Sequence, residues 1–531
     1  MVANGRMEKK PSMEKIPTTA TLDEAMLAAG LGVYNIAHML MSGIILMGVI
    51  MQTLNLGYVI PAAQCDLNLS MGTKGWLAAI PFTSMILTSH MWGYLADTRG
   101  RRPVMMVSML VSVVLSILAS FAPNLPVFAG LTFFSAVFMS GPSAVVYTYL
   151  GEFNNLQHRD KMVAFGASFV GIGTVLLPGV SWLILPQEFA WPISWLGIVY
   201  RPWRLLVVAA ALPYTLGAML LFLAPESPKF LNAQGRYDEC LATVKKIYGV
   251  NKWTDPETFP IKSLIVDPSA VTASSGKGIT AVLSSMWDQT APLFKGKLLK
   301  WTCLTCFVQY GIFSACNGFY VWFPTILNSL ANHNGAEDAR ICEILDASQQ
   351  AAANATDVVC DDTMNTETFQ RSIYIGLVFC SMYIVVGFLV DFVGKKLILL
   401  TILGGAGLCG ISAHLASNQQ TAVVLFAVFQ MSGACIGMMN AVAVELFPTR
   451  YRAMAICLSM MMGRLGSVVS SNLIGVFMRV NCGISFYLFG GLLLACCAVC
   501  LTLPGKKKRV KHTTKSVEPA QNETHDSHEP V

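Results

Sequence analysis

Ten residues, Gly93 to Arg102, read G-Y-L-A-D-T-R-G-R-R, and the same frame returns at Gly387 to Lys396 as G-F-L-V-D-F-V-G-K-K. A second pattern, a glutamate with an arginine seven residues on, occurs at Glu152 and Arg159 and again at Glu445 and Arg452. Both recur at an offset of about 294 residues. Two unrelated charge patterns at nearly one spacing mean that the chain is one unit duplicated.

The medium in which the two copies fold follows from composition. Of the 531 residues 54% are hydrophobic and 12% charged, against about 25% charged in a soluble domain. A bilayer core of roughly 30 Å takes about 20 apolar residues per helix. Twelve stretches satisfy this: 33–62, 75–96, 104–122, 126–151, 162–186, 203–224, 300–328, 371–391, 397–416, 421–446, 453–478 and 483–504. The expected fold is an all-α membrane protein with twelve transmembrane helices in two six-helix pseudo-repeats. The expected division is an N-terminal tail (1–32), a first bundle (33–224), a central loop (225–299), a second bundle (300–504) and a basic tail (505–531). An apolar chain of two parallel halves is the pattern of a membrane transporter. No signal peptide is visible before Leu31.

Basic residues give the orientation. Arg99, Arg101 and Arg102, Arg159 and Lys161, Lys395 and Lys396, Arg450 and Arg452, and Lys506 to Lys511 all fall after even-numbered helices. Both termini and the central loop are therefore expected in the cytoplasm. Within that loop Asp238 to Tyr248, after the turn Gln234-Gly235-Arg236, and a stretch near Leu283 to Leu299 read as interface helices. The acidic segment 329–370 falls on the other side, with Asn68 and Asn354 as candidate glycosylation sites. Cys342 and Cys360 form the candidate disulfide, with Cys65 and Cys482 as competing partners. Most other cysteines lie in apolar stretches, as small hydrophobes do. No zinc spacing, phosphate-binding glycine loop or nucleophile elbow is present, so neither an enzyme, a metal site nor a cofactor is expected. A net charge of +6 is too small to suggest nucleic acid. The expected partners are the lipid bilayer, a small-molecule solute and a coupling ion that the sequence does not name.

The repeated frame suggests a gate. Gly93 and Gly100 permit close contact and a tight turn, Asp97 is a carboxylate at the membrane edge, and Arg101 and Arg102 can pair bidentately with carboxylates. With Glu152 and Arg159 they make one charge cluster. Gly387, Asp391, Gly394, Lys395, Glu445 and Arg452 make the second. This motif resembles the loop 2–3 signature of the major facilitator superfamily. The E-x6-R pairs and Pro225-Glu226-Ser227-Pro228-Lys229-Phe230-Leu231 resemble its sugar and organic-ion branch. Tyr58 to Pro61, Lys74 to Leu77, Trp203-Arg204 and Val321 to Pro324 are similar to the synaptic vesicle glycoprotein 2 group. The resemblance covers roughly 33–505 and implies the major facilitator fold and alternating access. Members of that group carry acidic residues in the first helix, where this chain has Val49 and Gln52. Their lumenal loop is also far longer.

An ionisable residue inside a membrane helix is a functional candidate. Arg464 is the clearest, with Ser467 and Ser471 on its face. It resembles the cationic position of organic-ion transporters, which implies an anionic or carboxylate-bearing substrate. Further candidates for the pore are Gln52, Tyr147, Gln309, Tyr310, Asn317, Gln430 and Asn440. His38 and Ser42 in the first helix and Ser140 and Ser143 in the fourth extend these polar stripes, and His38 is of the type that titrates near neutral pH. The functional expectation is a transporter of a small organic solute in a plasma or vesicle membrane. The alternative is a transport-inactive relative serving as a vesicle receptor or trafficking partner.

Overall fold

The structure, a computed structural model, describes residues 18–265, 287–288, 290–332, 340–345, 362–416 and 418–504. A short strand β1 (Thr19–Ala20) and helix α1 (Leu22–Ala29) precede the first bundle. Its six spans are α2 (Val33–Leu54) with α3 (Leu56–Ala62), α4 (Met71–Arg99), α5 (Arg101–Ser120), α6 (Leu125–Glu152), α7 (Arg159–Ile184), and α8 (Pro202–Ala209) with α9 (Leu212–Leu223). A hairpin, β2 (Trp191–Ile193) with β3 (Ile198–Tyr200), joins the fifth span to the sixth. Helices α10 (Pro228–Ala233) and α11 (Tyr237–Lys252) and strand β4 (Ser263–Leu264) follow. The second bundle is α12 (Gly296–Ala331), α13 (Thr366–Val393), α14 (Lys395–Leu415), α15 (Gln419–Gln430) with α16 (Cys435–Leu446), α17 (Thr449–Val480) and α18 (Cys482–Cys500).

Ten of these twelve spans are long and apolar enough to cross a membrane by composition alone. The second span, α4, and the seventh, α12, fall short. Both carry polar side chains along their length, α4 from Lys74 to His90 and α12 from Gln309 to Asn317. Both also pack on α17, α4 across the halves and α12 within the second, and a helix face covered by protein need not be apolar. Several helices overrun their apolar stretch, α12 by about a turn at its start, because hydropathy marks the bilayer and hydrogen bonding marks the helix.

The duplication is visible atom by atom. Gly100 turns the chain between α4 and α5 at φ 104°, ψ 151°, and Gly394 turns it between α13 and α14 at φ 90°, ψ 149°. An L side chain is strained at such positive φ. After the turn Arg101 reaches Glu152 and Lys395 reaches Glu445. Arg102 donates to the carbonyls of Leu221 and Phe222 at the end of the sixth span. Lys396 donates to those of Leu501 and Leu503 at the end of the twelfth. Cations thus satisfy the free carbonyls of a helix C-terminus in both halves.

Each half has its own core. One buried cluster draws on Leu304 to Leu503, a second on Ala20 to Leu264, and a third joins Val321 and Phe369 to the first half. The halves meet where α4 packs on α17, α7 on α13, and α3 on α12. A Cβ at Gly376 would lie 2.7 Å from the Thr174 carbonyl, and one at Gly57 3.2 Å from that of Val321. These approaches lie toward the face that carries the Cys342–Cys482 disulfide, called here the disulfide face. The opposite face carries Arg101, Arg102, Lys395 and Lys396 and is called the basic face.

Two expectations for the basic face are corrected. The segment expected as a tail over 1–32 is helical at Leu22–Ala29, because Leu22, Ala25, Met26 and Ala29 form one apolar face that is buried. It covers Cys240, Val244 and Ile247 of α11, with Phe259 and Ile261 closing the cluster. The helix expected at 238–248 is therefore the centre of a small packed unit, with β1 parallel to β4 beside it. Its side chain Asn251 accepts from the Tyr34 N–H at 3.0 Å and donates to the Gly30 carbonyl at 3.1 Å. That ties α11 to the start of the first span. In the second expected stretch, Ala291–Phe294 is a single 3-10 turn, and Gly296 onward belongs to α12.

Candidate functional site

Arg464 projects from the middle of α17 toward the first half. Its guanidinium donates to Ser89 Oγ of α4, and Ser89 lies 3.3 Å from Ser140 Oγ of α6. Three helices from both halves thus meet at one cation. No ion pair is formed by Arg464 among the described residues. Exposure differs along the face of α17 that carries Arg464. Cys457 is exposed, Arg464 is half-buried, and Ser467, Ser470 and Ser471 are fully buried. Above Arg464 the seam is shut by span on span, with the Ser471 carbonyl 3.2 Å from a Cβ at Gly75.

The other candidates divide into three groups. Gln309 is fully buried, donates to Asn440 Oδ1 at 2.9 Å, and leaves its own oxygen without a partner. Asn317 donates to Ser467 Oγ at 3.4 Å, while the half-buried Tyr310 gives its carbonyl to Ser314. These residues of α12, α16 and α17 are brought together. Tyr147 of α6 is exposed at 37%. Gln430 and Gln52 lie elsewhere. Gln430 braces the 316–320 turn of α12 from within the second half: its amide nitrogen donates to the Cys316 carbonyl at 3.0 Å and its oxygen accepts from Tyr320 N–H at 3.3 Å, in the orientation that satisfies both. Gln52 accepts from Ser112 of α5 inside the first half. His38 is boxed by Phe153 at 4.0 Å and Tyr149 at 4.9 Å between ring centres, so it sits in the first half's core rather than at a rim.

Each basic-face cluster has its own pairing. Glu152 is held by Arg101 at 3.2 Å and by the Ser227 hydroxyl, not by Arg159. Arg159 lies against Gly151 instead, its Nε 2.9 Å from where a Cβ there would be. Glu445 pairs with Lys395 at 2.6 Å, not with Arg452. Asp97 pairs with Arg101 at 2.9 Å and is largely exposed. Seven residues across a helix end and a loop carry the motif partners apart, and the long cation on the next helix reaches first. A Cβ at Gly93 or Gly387 would meet nothing within 4 Å, so neither makes the close contact expected here. The side chain of Asp391 lies outside the described residues.

Glu226 was missed by sequence reasoning. Its carboxylate accepts from the N–H groups of Arg101 (3.2 Å), Arg102 (3.2 Å) and Ser227 (2.7 Å). It therefore caps α5 from a loop about 125 residues away, where the helix dipole favours a negative charge. Burial raises its carboxyl above the ordinary 4.5 in spite of those donors. The Pro225-Glu226-Ser227 tripeptide was the available signal.

On the disulfide face Arg201 lies 3.3 Å from Asp66 of the first half and 3.3 Å from Asp362, just ahead of α13 in the second. Trp203 Nε1 donates to Asp66 at 2.8 Å, and the buried Arg204 stacks on Trp203 and donates to the Ser120 and Ala122 carbonyls. The expected Cys342–Cys360 bridge is corrected: Cys342 is bonded to Cys482, with Cα atoms 5.5 Å apart. The turn at 341–345 is packed in the second half's core beside the start of α18, through Ile341, Ile344 and Leu345. Cys65 is also disulfide-bonded. Asn68 is exposed. Asn354 and Cys360 lie outside the described residues.

Two six-helix halves related by one parallel repeat are a known architecture of membrane transporters. The family model of the Major Facilitator Superfamily matches residues 30–340 and 372–526. The chain belongs to the Major Facilitator Superfamily. Among curated proteins it is 25% identical to synaptic vesicle glycoprotein 2A of Homo sapiens over 343 residues, 61% of this chain and 46% of that protein. It is 25% identical to synaptic vesicle glycoprotein 2B of Homo sapiens over 302 residues, 54% of this chain and 44% of that protein. The chain thus spans less than half the length of these relatives. Its fold is similar to the partially occluded inward-open xylose transporter XylE from E. coli, with TM-score 0.62 and 16% identity over 89% of this chain and all of that one. A D-xylose-proton symporter structure matches with TM-score 0.61 and 14% identity, over 89% of this chain and 98% of that one.

Proposed function

We propose that the chain carries a small organic anion, or a zwitterion presenting a carboxylate, across a membrane by alternating access. The observation that carries this reading is Arg464. A half-buried guanidinium held, among the described residues, by a serine hydroxyl and no carboxylate is an uncompensated charge, and burying one is costly unless a partner arrives. A substrate carboxylate would supply that partner bidentately. Gln309, Tyr310, Asn317, Asn440 and Tyr147 would complete the polar wall of the site.

On this reading the basic face is cytoplasmic, as basic flanks favour. The membrane is that of the cell surface or a vesicle. The closed disulfide face and the exposed Cys457 correspond to the inward-facing state. The Asp97–Arg101–Glu152 and Lys395–Glu445 clusters act as the inner gate, their stability differing between the two states.

The test is uptake into cells expressing the chain, read by untargeted mass spectrometry, with Arg464→Ala and Arg464→Lys beside it. One anionic solute class should accumulate, be lost in Arg464→Ala and be partly kept in Arg464→Lys. Accumulation unaffected by Arg464→Ala refutes the site. No accumulation with the protein at the surface favours the receptor-like alternative.

A further inference from the structure

Span 1 passes from α2 to α3 at Asn55 with its backbone still helical, and α4 carries Pro81 beside it. A proline has no N–H, so the carbonyl one turn before it loses its helical donor. Between Asn55 and Pro81 lies a cavity of about 40 Å³, inside the first half, lined by Gln52, Asn55, Pro81, Ser116, Thr132 and Ser135 with apolar neighbours.

The hydroxyls satisfy one another. Ser112 reaches Ser135 at 3.0 Å and Gln52 Oε1 at 3.3 Å, and Ser116 reaches Ser135 at 2.9 Å. Two groups are left over. Gln52 Nε2 has no acceptor and Asn55 Oδ1 has no donor, although both atoms are buried and Asn55 is only 6% exposed. An orphaned buried polar atom costs about 1–3 kcal/mol. One missing acceptor and one missing donor at one cavity call for a molecule that does both. No charged residue lines the cavity, so the molecule is neutral. Roughly 10–15 Å³ of such space admits one water, while an organic ligand needs several hundred.

We propose that this cavity is a hydration site, holding one or two water molecules that donate to Asn55 Oδ1 and accept from Gln52 Nε2. Its position gives it a role. The segments on its outer side are the ones that close the disulfide face: α3 brings Gly57 against Val321, and the start of α4 brings Gly75 against Ser471. The water steadies the base of those segments by satisfying Gln52 and Asn55. The inference stands apart from the substrate reading, since none of these groups faces Arg464.

The test is a thermal-unfolding cycle on the purified full chain in detergent. Gln52→Leu and Asn55→Leu singly should each lower Tm by a few degrees, because each leaves the water with one partner fewer. The double variant should recover most of that loss, since replacing both polar partners by apolar groups of similar shape is nearly neutral. Additive losses would overturn the proposal. So would a high-resolution map of the wild-type protein with no density between Asn55 Oδ1 and Gln52 Nε2, a reading independent of how the variants fold.

Discussion

Replacing Asp362 by asparagine should release the disulfide face by a calculable amount. Asp362 is one of two carboxylates on Arg201, at 3.3 Å, and this pair joins the segment before α13 to the segment before α8. The two side chains are 28% and 39% exposed, so solvent screens the pair and it is worth about 1 kcal/mol rather than the several of a dry one. Opening the disulfide face separates the partners, so the pair stabilises the closed state by that amount. One kcal/mol is a factor of about five in a two-state ratio. The open state is the minor one, so its population should rise about fivefold. The readout is Ser471→Cys, buried in the closed seam, labelled from the disulfide face with an impermeant maleimide in the presence and absence of Asp362→Asn. Labelling about five times faster is expected, with the difference shrinking as salt is raised. An unchanged rate would refute the view that this ion pair closes the face.

The remaining predictions concern the basic face and the bridge. Glu152→Gln should cost about 2 kcal/mol, because Arg101 and Glu152 are 12% and 8% exposed and Arg101 is left with the exposed Asp97 in place of a buried charged partner. Glu445→Gln, at 64% exposure, should cost under about 1 kcal/mol; equal losses in urea unfolding would contradict the packing described. Burial raises the Glu226 carboxyl, so the folded state holds its proton more tightly than the unfolded one. That stabilisation is present below about pH 4.5 and is lost as pH rises through the raised value. Glu226→Gln should therefore show a flatter Tm-against-pH curve between pH 4 and 7, and an unchanged slope would refute the burial argument. Cys482→Ser should leave Cys342 open to alkylation and cost about 2–5 kcal/mol; protection of Cys342 in that variant would contradict the pairing.

Much of the fold was legible because its signals are local. Apolar length marked the spans, and the two glycine turns at Gly100 and Gly394 lie within one repeated decapeptide. Helix ends were less legible where α12 and α4 run on into polar residues. The site was half legible. Arg464 stood out as a charge in an apolar run, and Gln309 and Asn440 as polar residues on neighbouring stripes. Gln52 and Gln430 looked the same in sequence, yet each turns into its own half. A polar residue on a membrane helix serves a pore or a neighbouring helix equally well, and only the neighbour decides.

By itself the sequence determined that this chain is a duplicated, twelve-span membrane protein, since repeat and hydropathy are read along the chain. Tertiary structure alone decided the partners. Glu152 takes Arg101 and Ser227 over Arg159, Cys342 takes Cys482 from 140 residues away, and Glu226 caps a helix that begins before α6. Such choices depend on which segments the packing of separate helices brings within about 3 Å. Separation along the chain does not encode that distance.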